Sequence, residues 1–348
     1  MIKKKAAIVC FTPNGRELSE KIQDCLKDQL FEFMWETEVF YRPIPFGVWM
    51  KEHFQKLDAL LFIGAMGIAV RGIAPCLKDK RTDPAVLVLD EKGTFVISVL
   101  SGHLGGANEL AGQLAGMLGA TPVITTASDV NGKIAIDVFA KKNGLEISSM
   151  KQAKLCAAQI VSGSPVSFSC DGEVCGKIPP ELGARQSDAK FHVAVSPYRQ
   201  KNADNFLHLI PKAFVIGIGC KRGTDAEQIE ERLEEELQKK NIDPRSILAA
   251  ATIDLKKDEE GLLKFFRKKK IPLYFYSAEE LLKAEGNFTP SQFVAQVTGV
   301  ENVCERAAFL TAKEHGMESL EQCMVQPKSG KDGVTIAIMR IDWRICFE

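Results

Sequence analysis

The sequence lacks the markers of several large protein classes. It has no excess of charge: 45 Lys and Arg offset 45 Asp and Glu, for a formal net charge of zero. That balance gives no electrostatic reason to expect nucleic acid or an anionic membrane as partner, though it leaves room for a local basic pocket. It has no C-x-x-C pair among its ten cysteines. The closest two, Cys170 and Cys175, sit in loop-like text, so the pattern reads as free thiols in a reducing cytoplasm, not as a zinc ribbon or disulfide framework. No apolar run is long enough to span a membrane: the longest, Ala59 to Val70, is followed by Arg71. The apolar run Ala6 to Phe11, behind a basic N-terminus, is too short for a signal segment. His53, His192, His208 and His315 stand apart and form no H-E-x-x-H pattern, which argues against a protein-bound catalytic metal. Neither G-x-S-x-G nor a Walker loop is present.

What is present is ordinary globular text. With 348 residues, 45% hydrophobic and 26% charged, the chain should form two or three domains around their own cores. Continuous apolar runs at Ala6–Phe11, Asp58–Ile63 and Ala213–Gly219 have the pattern of strands buried on both faces. Helical periodicity covers Glu17–Leu30 after a turn at Thr12–Gly15, and again Phe46–Leu57. Val86–Leu89 and Thr94–Leu100 read as a hairpin closed at Gly93. A helix follows the glycine-rich loop Ser101–Gly106 and stops at Gly119, and Thr121–Thr125 is the next strand. Thr224–Glu227 and Ser277–Glu280 resemble capping boxes, while Pro272–Tyr276 and Val334–Met339 read as strands. The expected architecture is α/β: an N-terminal α/β domain over 1–134, a small α+β middle segment over 135–211, and a C-terminal α/β domain over 212–348, with mainly parallel sheets.

Four segments could carry chemistry. Ser101-Gly102-His103-Leu104-Gly105-Gly106-Ala107-Asn108-Glu109 follows a strand and opens a helix, where unpaired amides and a positive dipole end suit an oxyanion and His103 could exchange protons. The plain alternative is a tight turn whose His bonds locally. Gly64–Gly72 carries Arg71, placed to hold a carboxylate or simply solvated. Thr125-Thr126-Ala127-Ser128-Asp129 ends another strand. Loops at the carboxyl ends of parallel strands share a crevice, so Asp129 could orient His103 or merely form an Asx-type turn. Gly217-Ile218-Gly219-Cys220-Lys221-Arg222-Gly223-Thr224 is a poor dinucleotide fingerprint, its third glycine one residue late. It still suits a carboxylate or phosphate, with Cys220 as a small packed residue. The runs Glu234–Glu236 and Lys268–Lys270 read as solvated helix faces.

These segments together resemble the cobalt-precorrin-5A hydrolase family (CbiG) of anaerobic cobalamin biosynthesis. The resemblance rests on Gly64–Gly72, Val99–Ala111, Pro122–Asp129, Gly217–Thr224, Val300–Ala308 and Lys328–Ile338, and so spans nearly the whole chain. Cys304 is a small departure, where an alanine-like residue is expected. The resemblance implies a substrate: a cobalt-containing tetrapyrrole whose δ-lactone is opened, with loss of acetaldehyde, to give cobalt-precorrin-5B. Cobalt then belongs to the substrate and no cofactor is needed. His103 is expected to be the base, oriented by Asp129, with Glu109 as second choice, either solvated or paired to Arg71. The amides near Gly105 and Gly106 would hold the oxyanion. Ser101, Gly102, Asn108, Thr125 and Thr126 would line the substrate site, and Arg71, Lys221, Arg222 and Lys328 would clamp its carboxylates. A tetrapyrrole carrier and a methyltransferase of the same pathway are the alternatives. Transient contacts with neighbouring pathway enzymes, and a homo-oligomer, stay open.

Overall fold

The structure, a computed structural model, describes residues 3–27, 34–79, 82–103, 105–201 and 203–347. The chain divides into two compact units, Met1–Val138 and Phe139–Glu348.

In the first unit the order is β1 (Lys3–Cys10), α1 (Pro13–Lys27), β2 (Met34–Tyr41), α2 (Phe46–His53), β3 (Ala59–Ile63), α3 (Met66–Ile73), β4 (Ala85–Leu89), β5 (Phe95–Leu100), α4 (Ala107–Leu118), β6 (Thr121–Val123) and α5 (Ala127–Val130). Next comes α6 (Ile136–Lys142), within which the division falls. The strands form one sheet in the order β2-β1-β3-β4-β5-β6. Alternate residues of β1, β3 and β4 feed two cores. Ile8, Leu61 and Leu87 pack against Ile22 of α1 and Leu114 of α4. Val9, Phe62 and Val88 pack against Met50 of α2 and Ile73 of α3. A strand buried on both faces needs apolar residues at every position, which is why these runs carry no polar alternation. Thr12–Gly15 is not a free turn. Pro13 takes the first helical position, where its missing N–H costs nothing, and the Thr12 hydroxyl accepts from the Gly15 amide at 3.1 Å. Of the helix expected over 17–30, residues 28–30 lie outside the described residues.

Every described pairing in this sheet is parallel except one. β4 and β5 pair antiparallel, so β5 and its parallel neighbour β6 run against β1–β4. This reversal decides which loops share an edge.

The second unit continues with β7 (Glu146–Ile147), α7 (Met150–Ser162), β8 (Val166–Cys170), β9 (Glu173–Cys175), β10 (Phe191–Val195), β11 (Phe206–Ile210), β12 (Phe214–Cys220), α8 (Ala226–Lys239), β13 (Ile247–Ile253) and α9 (Glu260–Lys269). It ends with β14 (Leu273–Tyr276), α10 (Ala278–Leu282), α11 (Gln292–Thr298), α12 (Cys304–Glu314), α13 (Leu320–Cys323), β15 (Met324–Lys331), β16 (Val334–Arg340) and β17 (Arg344–Cys346). A four-stranded sheet, β7-β11-β10-β8, precedes a five-stranded one, β14-β13-β12-β16-β15, and β17 pairs with β9. In the larger sheet β12, β13 and β14 are parallel, and β16 and β15 add antiparallel.

Gly217, at the centre of β12, is set by packing. A Cβ there would collide with the Cys304 carbonyl oxygen, because α12 lies directly on the strand. The first glycine of the poor fingerprint thus serves helix–sheet contact. The box at Ser277 forms in full. At the other, Asp225 caps α8 by accepting from the Gln228 amide, while the Thr224 hydroxyl donates to the Lys221 carbonyl. The acidic run on α8 is not wholly solvated either. Glu236 is 1% exposed, paired to the buried Arg232 and accepting from Lys239 at 2.8 Å and Ser329 at 3.1 Å. A charge there is tolerated because it is paired and hydrogen-bonded.

Gly217→Ala should lower stability by about 3 kcal/mol, because neither backbone can yield. Gly112→Ala, on α4 with nothing near its Cβ position, should raise it by about 0.5 kcal/mol. Denaturant midpoints of the two variants check the contrast.

Candidate functional site

The glycine loop between β5 and α4 is closed on itself. The Gly106, Ala107 and Asn108 amides donate to the carbonyls of His103, Ser101 and Gly102 at 3.0, 3.2 and 3.0 Å. A Cβ at Gly102 would meet Asn108 Oδ1 at 2.6 Å, and one at Gly105 would collide with Ser101 Cβ, so only glycine lets the loop fold this tightly. The expected oxyanion donor at Gly106 is therefore corrected: its amide is already spent inside the turn. Leu104 lies outside the described residues. Ser101 sits at φ 56°, and its hydroxyl donates to the Asp83 carbonyl at 2.9 Å. That proton holds the loop and is not offered to a ligand.

Asn108 is 7% exposed and saturated. Its Oδ1 accepts from the Ser98 hydroxyl at 2.7 Å, and its Nδ2 donates to Thr126 Oγ1 at 3.0 Å and Asp129 Oδ2 at 3.1 Å. It joins the two loops from inside, so its expected contact with substrate is corrected to a positioning role. Thr126, through the same bond, belongs to that frame, and Thr125 is exposed.

The result is an imidazole between two carboxylates. His103 Nε2 lies 2.9 Å from Asp129 Oδ2 and 3.1 Å from the Ser128 hydroxyl, and His103 Nδ1 lies 3.4 Å from Asp137 Oδ1. The His103 side chain is 19% exposed, Asp137 16% and Asp129 37%. The hydrogen bond to Asp137 raises the imidazole above its ordinary 6.5; burial works against this, and Asp129 adds to the rise. A carboxylate facing each nitrogen favours the charged imidazole over the neutral one. The expected free base would need a bare nitrogen for water, and both His103 ring nitrogens already face polar groups.

Sequence reasoning misses Asp137, because it places residues 135 onward in another segment and because a carboxylate in the first turn of a helix reads as a dipole complement. The available signal is proximity, eight residues after Asp129. Glu109 does not join the cluster: it is exposed on α4. Arg71 does not either. Its loop follows β3, which runs parallel to β4, whereas His103 follows the reversed β5. The two loops stand at opposite edges of the sheet, as the Gly64 amide bonding Leu89, at the far end of β4 from Asp83, confirms. Arg71 instead donates to the Gly67 carbonyl at 3.4 Å.

Lys221, Arg222 and Lys328, in the second unit, come together on one cleft of about 720 Å³. Cys220 lines it, with a thiol pushed up by burial, so it is no ready nucleophile. Among the described residues no three His, Cys, Asp or Glu side chains group as a metal site, and no helix is long and apolar enough to cross a membrane.

Three family models match in order along the chain: Cobalamin synthesis G N-terminal over residues 48–129, Cobalamin biosynthesis central region over 134–211, and Cobalamin synthesis G C-terminus over 214–339. A cobalt-precorrin-5A hydrolase of Salmonella typhimurium is 36% identical over 88% of this chain and 92% of its own. One of Priestia megaterium is 38% identical over 83% and 80%. The crystal structure of CobE, a protein from the cobalamin biosynthetic pathway, is 30% identical over 38% of this chain and 92% of its own, with a TM-score of 0.35. With its three regions matched in sequence and these two hydrolases alike over most of their lengths, the chain belongs to the cobalamin synthesis G family.

Proposed function

We propose that this chain hydrolyses cobalt-precorrin-5A, opening its δ-lactone and releasing acetaldehyde to leave cobalt-precorrin-5B. The names of its relatives favour a hydrolase over a carrier or a methyltransferase. The observation that carries the chemistry is the His103 imidazole with a carboxylate on each nitrogen. A carrier needs groups that bind carboxylates but has no use for a poised proton donor.

In this reading Asp129, the more exposed carboxylate, takes a proton from water as its oxygen adds to the lactone carbonyl. The imidazolium stabilises the charge that develops on the carbonyl oxygen. As the lactone C–O bond breaks, His103 gives its proton to the departing oxygen, which becomes a hydroxyl. The neutral imidazole then recovers that proton from the same hydroxyl. The carbon–carbon bond breaks, its electron pair passes to the macrocycle, and the hydroxyl-bearing fragment leaves as acetaldehyde. The macrocycle carbon takes up the proton that Asp129 held. One water is consumed, and His103 serves first as acid and then as base. Asp137 favours the charged imidazole and orients it throughout.

His103→Gln should cut acetaldehyde release roughly 100- to 10,000-fold while leaving the fold intact; near-native turnover would remove His103 from the chemistry. The rate should fall on the alkaline side as the imidazolium is lost, and Asp137→Asn should move that limb to lower pH. A free-base role for His103 would instead give an acid limb in the imidazole range.

Stability follows the same proton. The folded-state pKa of His103 is raised above 6.5, so its contribution is full below that pH and is lost as pH climbs through the raised value. Asp137→Asn should therefore cost about 1 kcal/mol at pH 6 and progressively less as pH climbs through the raised value, as read by urea denaturation.

A further inference from the structure

The cleft in the second unit has two unlike surfaces. Its lining includes large apolar side chains that the fold leaves bare: Phe293 is 73% exposed, Val297 62% and Leu255 59%. It also includes cations. Lys256 is tied to Glu259 at 2.9 Å and Lys331 to Glu235 at 2.9 Å. Among the described residues, the side chains of Lys221, Arg222 and Lys328 have no hydrogen-bonded or ion-paired partner. The cleft volume, about 720 Å³, suits a small molecule.

The backbone decides what kind of anion these cations meet. A phosphate loop works by aiming free amides at one compact group. Here the Lys221 amide donates to the Gly333 carbonyl at 2.8 Å, the Gly223 amide to the Glu259 carboxylate at 3.0 Å, and the Thr224 amide to the Lys221 carbonyl at 3.4 Å. With these amides spent, anion binding falls to separated side chains, which suits dispersed carboxylates around an apolar body and not a phosphate cluster.

The cleft is also built in advance. Glu305, fully buried at the start of α12, accepts from the Thr289 amide at 2.7 Å and hydroxyl at 2.8 Å, from Asn302 Nδ2 at 2.9 Å, and from the Lys328 amide at 2.6 Å. One carboxylate thus pins the segment that leads into α11, bearing Phe293 and Val297, to the strand bearing Lys328. It fixes the apolar wall relative to the cationic one.

We infer that this cleft holds the cobalt tetrapyrrole, its macrocycle face on Phe293, Val297 and Leu255 and its peripheral carboxylates on Lys221, Arg222 and Lys328. The identity of the ligand rests on the proposed function; the pairing of an apolar face with dispersed carboxylates rests on the cleft itself.

The test is titration of the intact chain, by visible absorbance, with a cobalt(III) corrin heptacarboxylate that has no lactone, and with its neutral heptamethyl ester. The acid should bind and the ester at least tenfold more weakly. Replacing Lys221, Arg222 and Lys328 together by Gln should weaken the acid at least tenfold, and Val297→Asp should do the same, while Gly112→Ala leaves affinity unchanged. Equal affinity of the acid for wild type and the triple variant overturns the site. Lactone turnover by wild type, run in parallel, separates the two claims. If turnover is absent but binding depends on the cleft, the reaction fails and the site stands; if turnover proceeds and binding ignores these substitutions, the site fails and the reaction stands.

Discussion

The first unit depends on a reversal in its sheet. Because β4 and β5 form a hairpin, β5 and β6 run against the other strands, and their carboxyl ends share an edge that β1, β3 and β4 do not reach with theirs. The loop bearing His103 and the one bearing Asp129 are thereby adjacent. Asn108 then locks them through a buried amide that accepts one hydrogen bond, from Ser98, and donates two, to Thr126 and Asp129. The imidazole placed there has no unengaged nitrogen.

The two units solve the problem of handling charge differently. In the first, a carboxylate faces each nitrogen of an imidazole, which favours its charged form and suits proton transfer. In the second, side-chain cations and bare apolar side chains line one cleft, and three backbone amides of the glycine turn are consumed locally.

Much of the scaffold is legible in the sequence because strands buried on both faces must be apolar throughout, and α4 ends at a glycine in the left-handed conformation. The pairing of His103 with Asp129 is legible from strand-end loops. The placement of Arg71 is not, although the hairpin that excludes it is itself expected: an antiparallel strand carries its following loop to the other edge. Asp137 and the frame role of Asn108 are hidden for another reason. Helix-start carboxylates and loop amides are common local caps, and only the tertiary fold brings these onto one imidazole. Gly217 looks like part of a ligand loop because close approach of a helix and of a ligand both demand glycine.

The central claim is that His103 rests as a cation between Asp129 and Asp137. Nitrogen NMR of ring-labelled histidine in the resting enzyme addresses it directly. At pH 6 both His103 ring nitrogens should give signals of protonated nitrogen, and Asp137→Asn should make the proton leave at lower pH. A bare nitrogen on His103 at that pH, unaffected by the substitution, would contradict the account.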